Sequence, residues 1–112
     1  MIPKELAAAS SRPIVLAILA RGDDYGYSII QRVREASGGQ LEWSEGMLYP
    51  VLHRLESEKL IASLWKETEG GRRRKYYRLS AAGKRSLAIH REQWNLINAL
   101  LTQLWGSSPC LN

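Results

Sequence analysis

The sequence predicts a mainly α-helical domain that carries one small β hairpin and ends in a long helix. Three features predict it. Apolar residues recur at three- and four-residue steps as far as Glu58, the mark of amphipathic helices. Between Leu60 and Leu79 the pattern turns strand-like around a Gly-Gly turn. Beyond Gly83 an apolar heptad repeat runs to Trp105 without glycine or proline.

The first 21 residues read as helix, with Leu6, Ala9, Val15, Leu16, Ile18 and Leu19 on its apolar side. Pro13 interrupts the pattern, because it donates no N–H and crowds the preceding turn. Two arrangements stay open: a short helix before the main one, with Ser10 or Ser11 as cap, or one kinked helix. Gly22 suits a helix end, and Asp23 or Asp24 the next N-cap. The second helix spans Tyr25 to about Ala36, with Tyr25, Ile29, Val33 and Ala36 inward. Ser37-Gly38-Gly39-Gln40 ends it, and a short extended piece, Leu41-Glu42-Trp43, follows.

Ser44 is the expected N-cap of a third helix running to Glu58, with Glu45 favourably placed at its positive end. Leu48, Val51, Leu52 and Leu55 form the buried stripe, and Tyr49, Pro50, His53, Arg54 and Ser57 fall opposite. Pro50 removes the bond to the carbonyl of Gly46, and a glycine there offers it no side chain to clash with. Two strands follow, Leu60 to Glu67 and Lys75 to Leu79, with Gly70 to Arg74 as a basic loop. Ser80 caps a last helix reaching Trp105, about 37 Å long. In it Leu87, Trp94 and Leu101 repeat every seven residues, as do His90, Ile97 and Leu104.

Helix, helix, helix, strand, basic turn, strand, helix is the order of a winged helix-turn-helix with a long C-terminal dimerisation helix. The expected division is 1–80 for the winged DNA-binding domain, 81–105 for the dimerisation helix and 106–112 for a flexible tail. At 112 residues there is room for one core. An apolar fraction of 45% and a charged fraction of 24% exclude collagen-like or broadly disordered chains. No run approaches the roughly 20 apolar residues of a membrane span, and no leader is visible. One cysteine, Cys110, allows no internal disulfide, so the expected location is cytoplasmic.

The charge is unevenly placed. Of a net +5, residues 70–91 supply eight cations and no acid, while residues 1–69 carry a net −2. Such a block calls for a polyanion, nucleic acid before anionic membrane. A membrane role would want a basic amphipathic helix, whereas this cluster lies in a turn. In a winged helix the third helix enters the major groove and the wing reaches flanking backbone. The expected DNA-binding residues are therefore Ser44, Tyr49, His53 and Arg54 on the third helix, and Arg72, Arg73, Arg74 and Lys75 on the wing.

Catalysis finds no support. His53 and His90 have no Cys or carboxylate cluster at metal-ligand spacing, Cys110 has no partner histidine, and Gly70-Gly71 opens no helix. No enzyme activity, metal or cofactor is expected. The competing class is a winged-helix module that docks RNA or protein without reading an operator. A DNA-reading dimer needs a symmetric seam, and Leu87, Trp94, Ile97, Leu101 and Leu104 supply one.

Tyr25-Gly26-Tyr27, the stretch Gly46 to Glu56 (Gly-Met-Leu-Tyr-Pro-Val-Leu-His-Arg-Leu-Glu), Trp65, and Gly71 to Ser80 with Gly83 carry a resemblance. Together they resemble the PadR family of bacterial transcriptional regulators, from residue 3 to about 105. The resemblance implies a dimeric repressor, and the short length is similar to the small multidrug-binding subfamily with one C-terminal helix. It further implies that Trp94 lines a cavity between protomers, where a small planar or hydrophobic effector stacks. Met1 to Leu6 and Val15 would help to form that cavity. The residue pattern alone fits equally an aromatic that fills the seam. Two positions depart from the family: Lys59 stands where it usually has glycine, and Ser80 where it has threonine.

Overall fold

The computed structural model describes residues 2–106. The elements are α1 (Lys4–Leu19), β1 (Asp24–Tyr25), α2 (Gly26–Ala36), α3 (Glu45–Ser57), β2 (Ile61–Glu67), β3 (Arg73–Leu79) and α4 (Ala81–Leu104). Cys110, Met1 and the tail beyond Gly106 lie outside the described residues.

Helix α1 passes through Pro13 as one element, so no separate short helix precedes it. Ser10 and Ser11 cap nothing. Their hydroxyls donate back to Leu6 O and Ala8 O, both at 2.8 Å, as polar side chains inside a helix commonly do. One face of α1 carries Val15, Leu16 and Leu19 into the core, where they meet Ile29 and Val33 of α2 and Leu48, Leu52 and Leu55 of α3. Ile61, Tyr77 and Leu79 close the core from the sheet, and Trp43 from the linker before α3. Ala36, expected inward, is exposed at the end of α2.

The sheet has three strands, ordered β1-β3-β2, where the sequence suggested a hairpin alone. Asp24 pairs with Tyr77 and Tyr25 with Tyr76. This corrects the expectation that Asp23 or Asp24 caps α2; Tyr25 occupies that position without a side-chain cap. Both carboxylates serve the sheet edge instead. Asp24 Oδ1 accepts from the Tyr25 N–H at 3.0 Å. Its Oδ2 lies 2.8 Å from Arg32 Nε, off the N–H axis, as an ion pair rather than a hydrogen bond. Asp23 accepts from Arg78 Nε and Nη2 at 3.1 and 2.8 Å and pairs with Lys66 at 3.1 Å. Those hydrogen bonds, Arg78 first, outweigh desolvation and hold the Asp23 carboxyl down at about 2.

Helix α3 ends in a Schellman motif. The Leu60 N–H donates to Leu55 O at 3.0 Å and the Lys59 N–H to Glu56 O at 2.9 Å, with Lys59 at φ +65°. Lys59 thus adopts the left-handed turn in which a side chain costs roughly 1–2 kcal/mol relative to glycine. Glycine loses more freedom on folding, which returns part of this. Lys59→Gly is expected to stabilise the fold by about 0.5–1 kcal/mol, read as a raised urea midpoint at unchanged m value.

Ser80 caps α4 as expected: its Oγ accepts from the Gly83 N–H at 3.0 Å, and its own N–H donates to Leu60 O at 3.0 Å. Only the first turns of α4 pack on the winged core, through Gly83 and Leu87. The helix then runs along α1 and projects beyond it, so the protomer is elongated, 56 × 29 × 22 Å. Among the described residues no helix is long and apolar enough to cross a membrane.

Candidate nucleic-acid interface

Helix α3 lies across one face of the hairpin and shows its other side to solvent. Ser44 starts it, its Oγ accepting from the Met47 N–H at 3.2 Å. Tyr49, His53 and Arg54 are exposed, as the stripe Leu48, Leu52, Leu55 requires. Pro50 stands in the second turn without breaking the helix. The C-terminal end is anchored twice. Glu58 receives Arg12 Nη1 and Nη2 at 3.2 and 2.7 Å, which ties that end to α1 and draws the Glu58 carboxyl below its ordinary value. Ser63 Oγ donates to Glu56 Oε2 at 2.7 Å, which ties the same end to β2.

Near its start α3 leans on α2. The phenol of Tyr49 occupies the space a side chain would need at Gly26, so Gly26 is what lets the ring lie there. Tyr77, beneath α3, has its phenol pushed upward by burial first, then by Tyr49 and Glu56 beside it.

The wing differs from the expected loop of Gly70 to Arg74. Its turn is Thr68 to Arg72, closed by the Thr68 N–H to Arg72 O at 2.7 Å, with Gly71 at φ +81°. Arg73 and Arg74 therefore belong to β3, and strand alternation sends them to opposite faces. Arg73 lies over the Trp65 ring at 5.2 Å and Lys75 over Tyr77 at 5.6 Å, on the face that α3 covers further in. Arg74 lies on the other face, 4.2 Å from the Tyr25 ring. Tyr25 in turn meets Tyr76 edge-on at 5.1 Å. The structure thus puts Arg73 and Lys75 on the hairpin face that α3 covers further in and Arg74 on the other, with Arg72 in the turn and Tyr49, His53 and Arg54 exposed on α3.

Sequence reasoning gave Trp65 no place beyond its part in the PadR resemblance, and 55% of it is exposed on the wing. It also passed over Tyr27, an exposed ring on α2 whose Oη accepts from Gln31 Nε2 at 2.7 Å. The tyrosine and glutamine four apart were the signal for that pair.

The helical seam divides. Leu87, partly buried, packs against its own protomer's core. His90 faces α1; burial first, then the charge of Arg12, lowers its pKa and favours the neutral ring. Trp94, Ile97, Leu101 and Leu104 stand 37, 47, 38 and 72% exposed. Val15, expected near that cavity, is fully buried on the core side of α1 in the protomer. Pro13, Ile14 and Ala17 of α1, with Leu87, His90 and Trp94, line a groove of about 320 Å³, and Leu6 and Ala9 of α1 flank Trp94 and Ile97 further along. Among the described residues no three His, Cys, Asp or Glu side chains come together as metal ligands would.

Residues 15–89 match the Transcriptional regulator PadR-like family. The chain belongs to that family. PadR-like regulators are DNA-binding proteins rather than enzymes. The chain is 35% identical over 86 residues to Transcriptional regulator YqjI of Escherichia coli (strain K12); these are 77% of this chain but 40% of that longer protein. An uncharacterized protein of Lysinibacillus sphaericus is 27% identical over 101 residues, 90% of this chain and 93% of that one. Among solved structures, a transcriptional regulator from Clostridium thermocellum matches with a TM-score of 0.83 and 28% identity, covering 92% of this chain and 97% of that one. A PadR family transcription regulator from Clostridium difficile R20291 matches with a TM-score of 0.75 and 37% identity, covering 87% and 99%. The fold described above, a winged helix with a C-terminal helix, matches these two regulators over most of their length.

Proposed function

We propose that this PadR-like regulator is a cytoplasmic, ligand-responsive repressor that binds an inverted-repeat operator as a homodimer. The observation that carries the reading is the cleft between α3 and the wing, where Arg73 and Lys75 lie on the hairpin face that α3 covers further in and Tyr49, His53 and Arg54 stand exposed on α3. Side chains on α3 suit base edges and those on the wing suit phosphates. Two-fold pairing through the uncovered stripe of α4 places two such clefts on one face of a duplex. Half-sites then lie about one helical turn, ~10 bp, or a multiple of it, apart. The groove beside Trp94 opens where a partner's α4 would lie, which suits a small planar or hydrophobic effector. An effector that favours one spacing of the two α3 helices over another would release the DNA. Saturable quenching of tryptophan fluorescence by a planar cationic dye, lost in Trp94→Leu, checks this; a dye that quenches both proteins alike refutes it.

The test of the main reading is fluorescence anisotropy on the DNA immediately upstream of the gene, across a salt series. Wild type is expected to bind saturably and selectively. Arg72→Ala/Arg73→Ala/Arg74→Ala is expected to bind about a hundredfold more weakly at low salt. The slope of log K against log salt should flatten by about 0.9 for each phosphate the variant no longer neutralises. Arg74→Ala alone should contribute least, because its guanidinium stands over Tyr25 on the far face. Wild-type binding that ignores sequence, or no binding, would refute operator recognition.

A further inference from the structure

The wing carries an aromatic side chain whose position the packing of the protomer does not explain. Cross-strand partners in an antiparallel pair point to one face, so Ile61 with Leu79, Ser63 with Tyr77, Trp65 with Lys75 and Glu67 with Arg73 share a face. Along that face burial falls off toward the tip. Ile61 and Leu79 are core, Ser63 and Tyr77 lie under α3 beside Glu56, and Trp65 and Lys75 come next, about 7 Å further out. The Trp65 ring therefore stands in the angle between α3 and the wing tip. Arg73 lies over it at 5.2 Å and Lys75 stands opposite; Glu67, outermost, is the one acid among the strand residues of this face.

We propose that Trp65 is a DNA-backbone contact. Its ring packs on a deoxyribose, and its indole N–H donates to the adjacent phosphate of the strand that passes between α3 and the wing. Arg73 and Lys75 hold the same strand. The proposal rests on the DNA-binding reading above. An apolar ring with a polar edge matches a sugar-phosphate unit, which presents an apolar pucker next to an anionic oxygen. An arginine stacked on an indole is held in place before the DNA arrives, and its fork remains free for a phosphate. Trp65 bears no charge, so it would add affinity without adding counterion release.

The experiment compares wild type, Trp65→Ala and Trp65→Phe on two duplexes at low salt: the upstream DNA and a 30-bp random sequence (~30 bp spans two half-sites). Thermal unfolding confirms that each variant is folded, as the exposure of Trp65 leads one to expect. Trp65→Ala should weaken both duplexes by about tenfold, because backbone contacts carry no sequence information. Trp65→Phe keeps the ring and should lose only about threefold, the share of the N–H. The salt slope should not change. A single methylphosphonate at the contacted phosphate should weaken wild type and leave Trp65→Ala unaffected. Wild-type affinity in Trp65→Ala would overturn the proposal. So would a loss that disappears once Arg73 is already alanine, since Trp65 would then only support Arg73. Should wild type bind neither duplex, the DNA-binding reading fails, and this contact with it.

Discussion

Leu101→Glu combined with Leu104→Glu is expected to leave the winged core folded, to convert the protein to a monomer and to weaken operator binding by about 10²–10⁴-fold. The two leucines are 38 and 72% exposed within the protomer, so charging them removes nothing from its own core. In a dimer built on this stripe, four carboxylates would enter an apolar seam without partners. Each unpaired buried charge costs several kcal/mol, more than a seam of this length returns. The DNA effect follows from linkage: two wings on one rigid dimer bind the second half-site at high effective concentration, and a monomer forfeits that gain of about 10²–10⁴. Sedimentation at micromolar protein reads the first effect and anisotropy the second. A dimer that persists with both glutamates would place the interface elsewhere and remove the geometric basis for an inverted-repeat operator.

What the sequence allowed one to read depended on whether the deciding interaction was local. The start of α3 was legible because Ser44 precedes an apolar stripe and its hydroxyl finds the Met47 N–H three residues on. Ser80 was legible at α4 for the same reason. Lys59 stood out by its departure from the PadR pattern, and it does adopt the left-handed turn. Strand β1 was not legible. It is two residues long, and it exists because Tyr77 and Tyr76, more than fifty positions away, offer it an edge. Asp23 and Asp24 look like caps in a local window, and only the folded chain supplies Arg78, Lys66 and Arg32 as their partners.

Pro13 taught the same point with the opposite sign. A proline inside a helix costs about 3 kcal/mol in isolation, which is why the sequence suggested a break or a kink. Here Val15, Leu16 and Leu19 follow it into the core, while Leu6 and Ala9 before it reach Trp94 and Ile97. Burial of the three core residues that follow the proline outweighs one missing hydrogen bond. At the candidate site, residue type was legible and direction was not. A turn of Thr68 to Arg72 instead of Gly70 to Arg74 moves two arginines into a strand, and period-two alternation then separates Arg73 from Arg74. Trp65 was visible as a tryptophan, yet its exposure depends on how far α3 reaches along the hairpin.

Gly83→Ala should be the most destabilising conservative change in the protein, costing about 2 kcal/mol where helix propensity alone would favour alanine by about 1 kcal/mol. A Cβ at Gly83 would run into the backbone carbonyl of Leu60 and the Cδ1 of Leu79. Neither can step aside cheaply. The Leu60 carbonyl already accepts from the Ser80 N–H at 3.0 Å, at the cap that starts α4, and Leu79 is core. Relief must come from moving the backbone of α4 off the end of the hairpin. Gly46→Ala is the internal control. There the nearest atom is Ser44 Oγ at 3.8 Å, so the same substitution in α3 meets open space and should stabilise by up to about 1 kcal/mol. Urea midpoints at constant m value measure both, and opposite signs are the expected result. Equal signs would mean that α4 is seated on the hairpin more loosely than Gly83 requires. Because α4 also carries the proposed dimer seam, the shift that relieves the clash would tilt one protomer against the other. Operator affinity in Gly83→Ala should therefore fall further than its unfolded fraction accounts for.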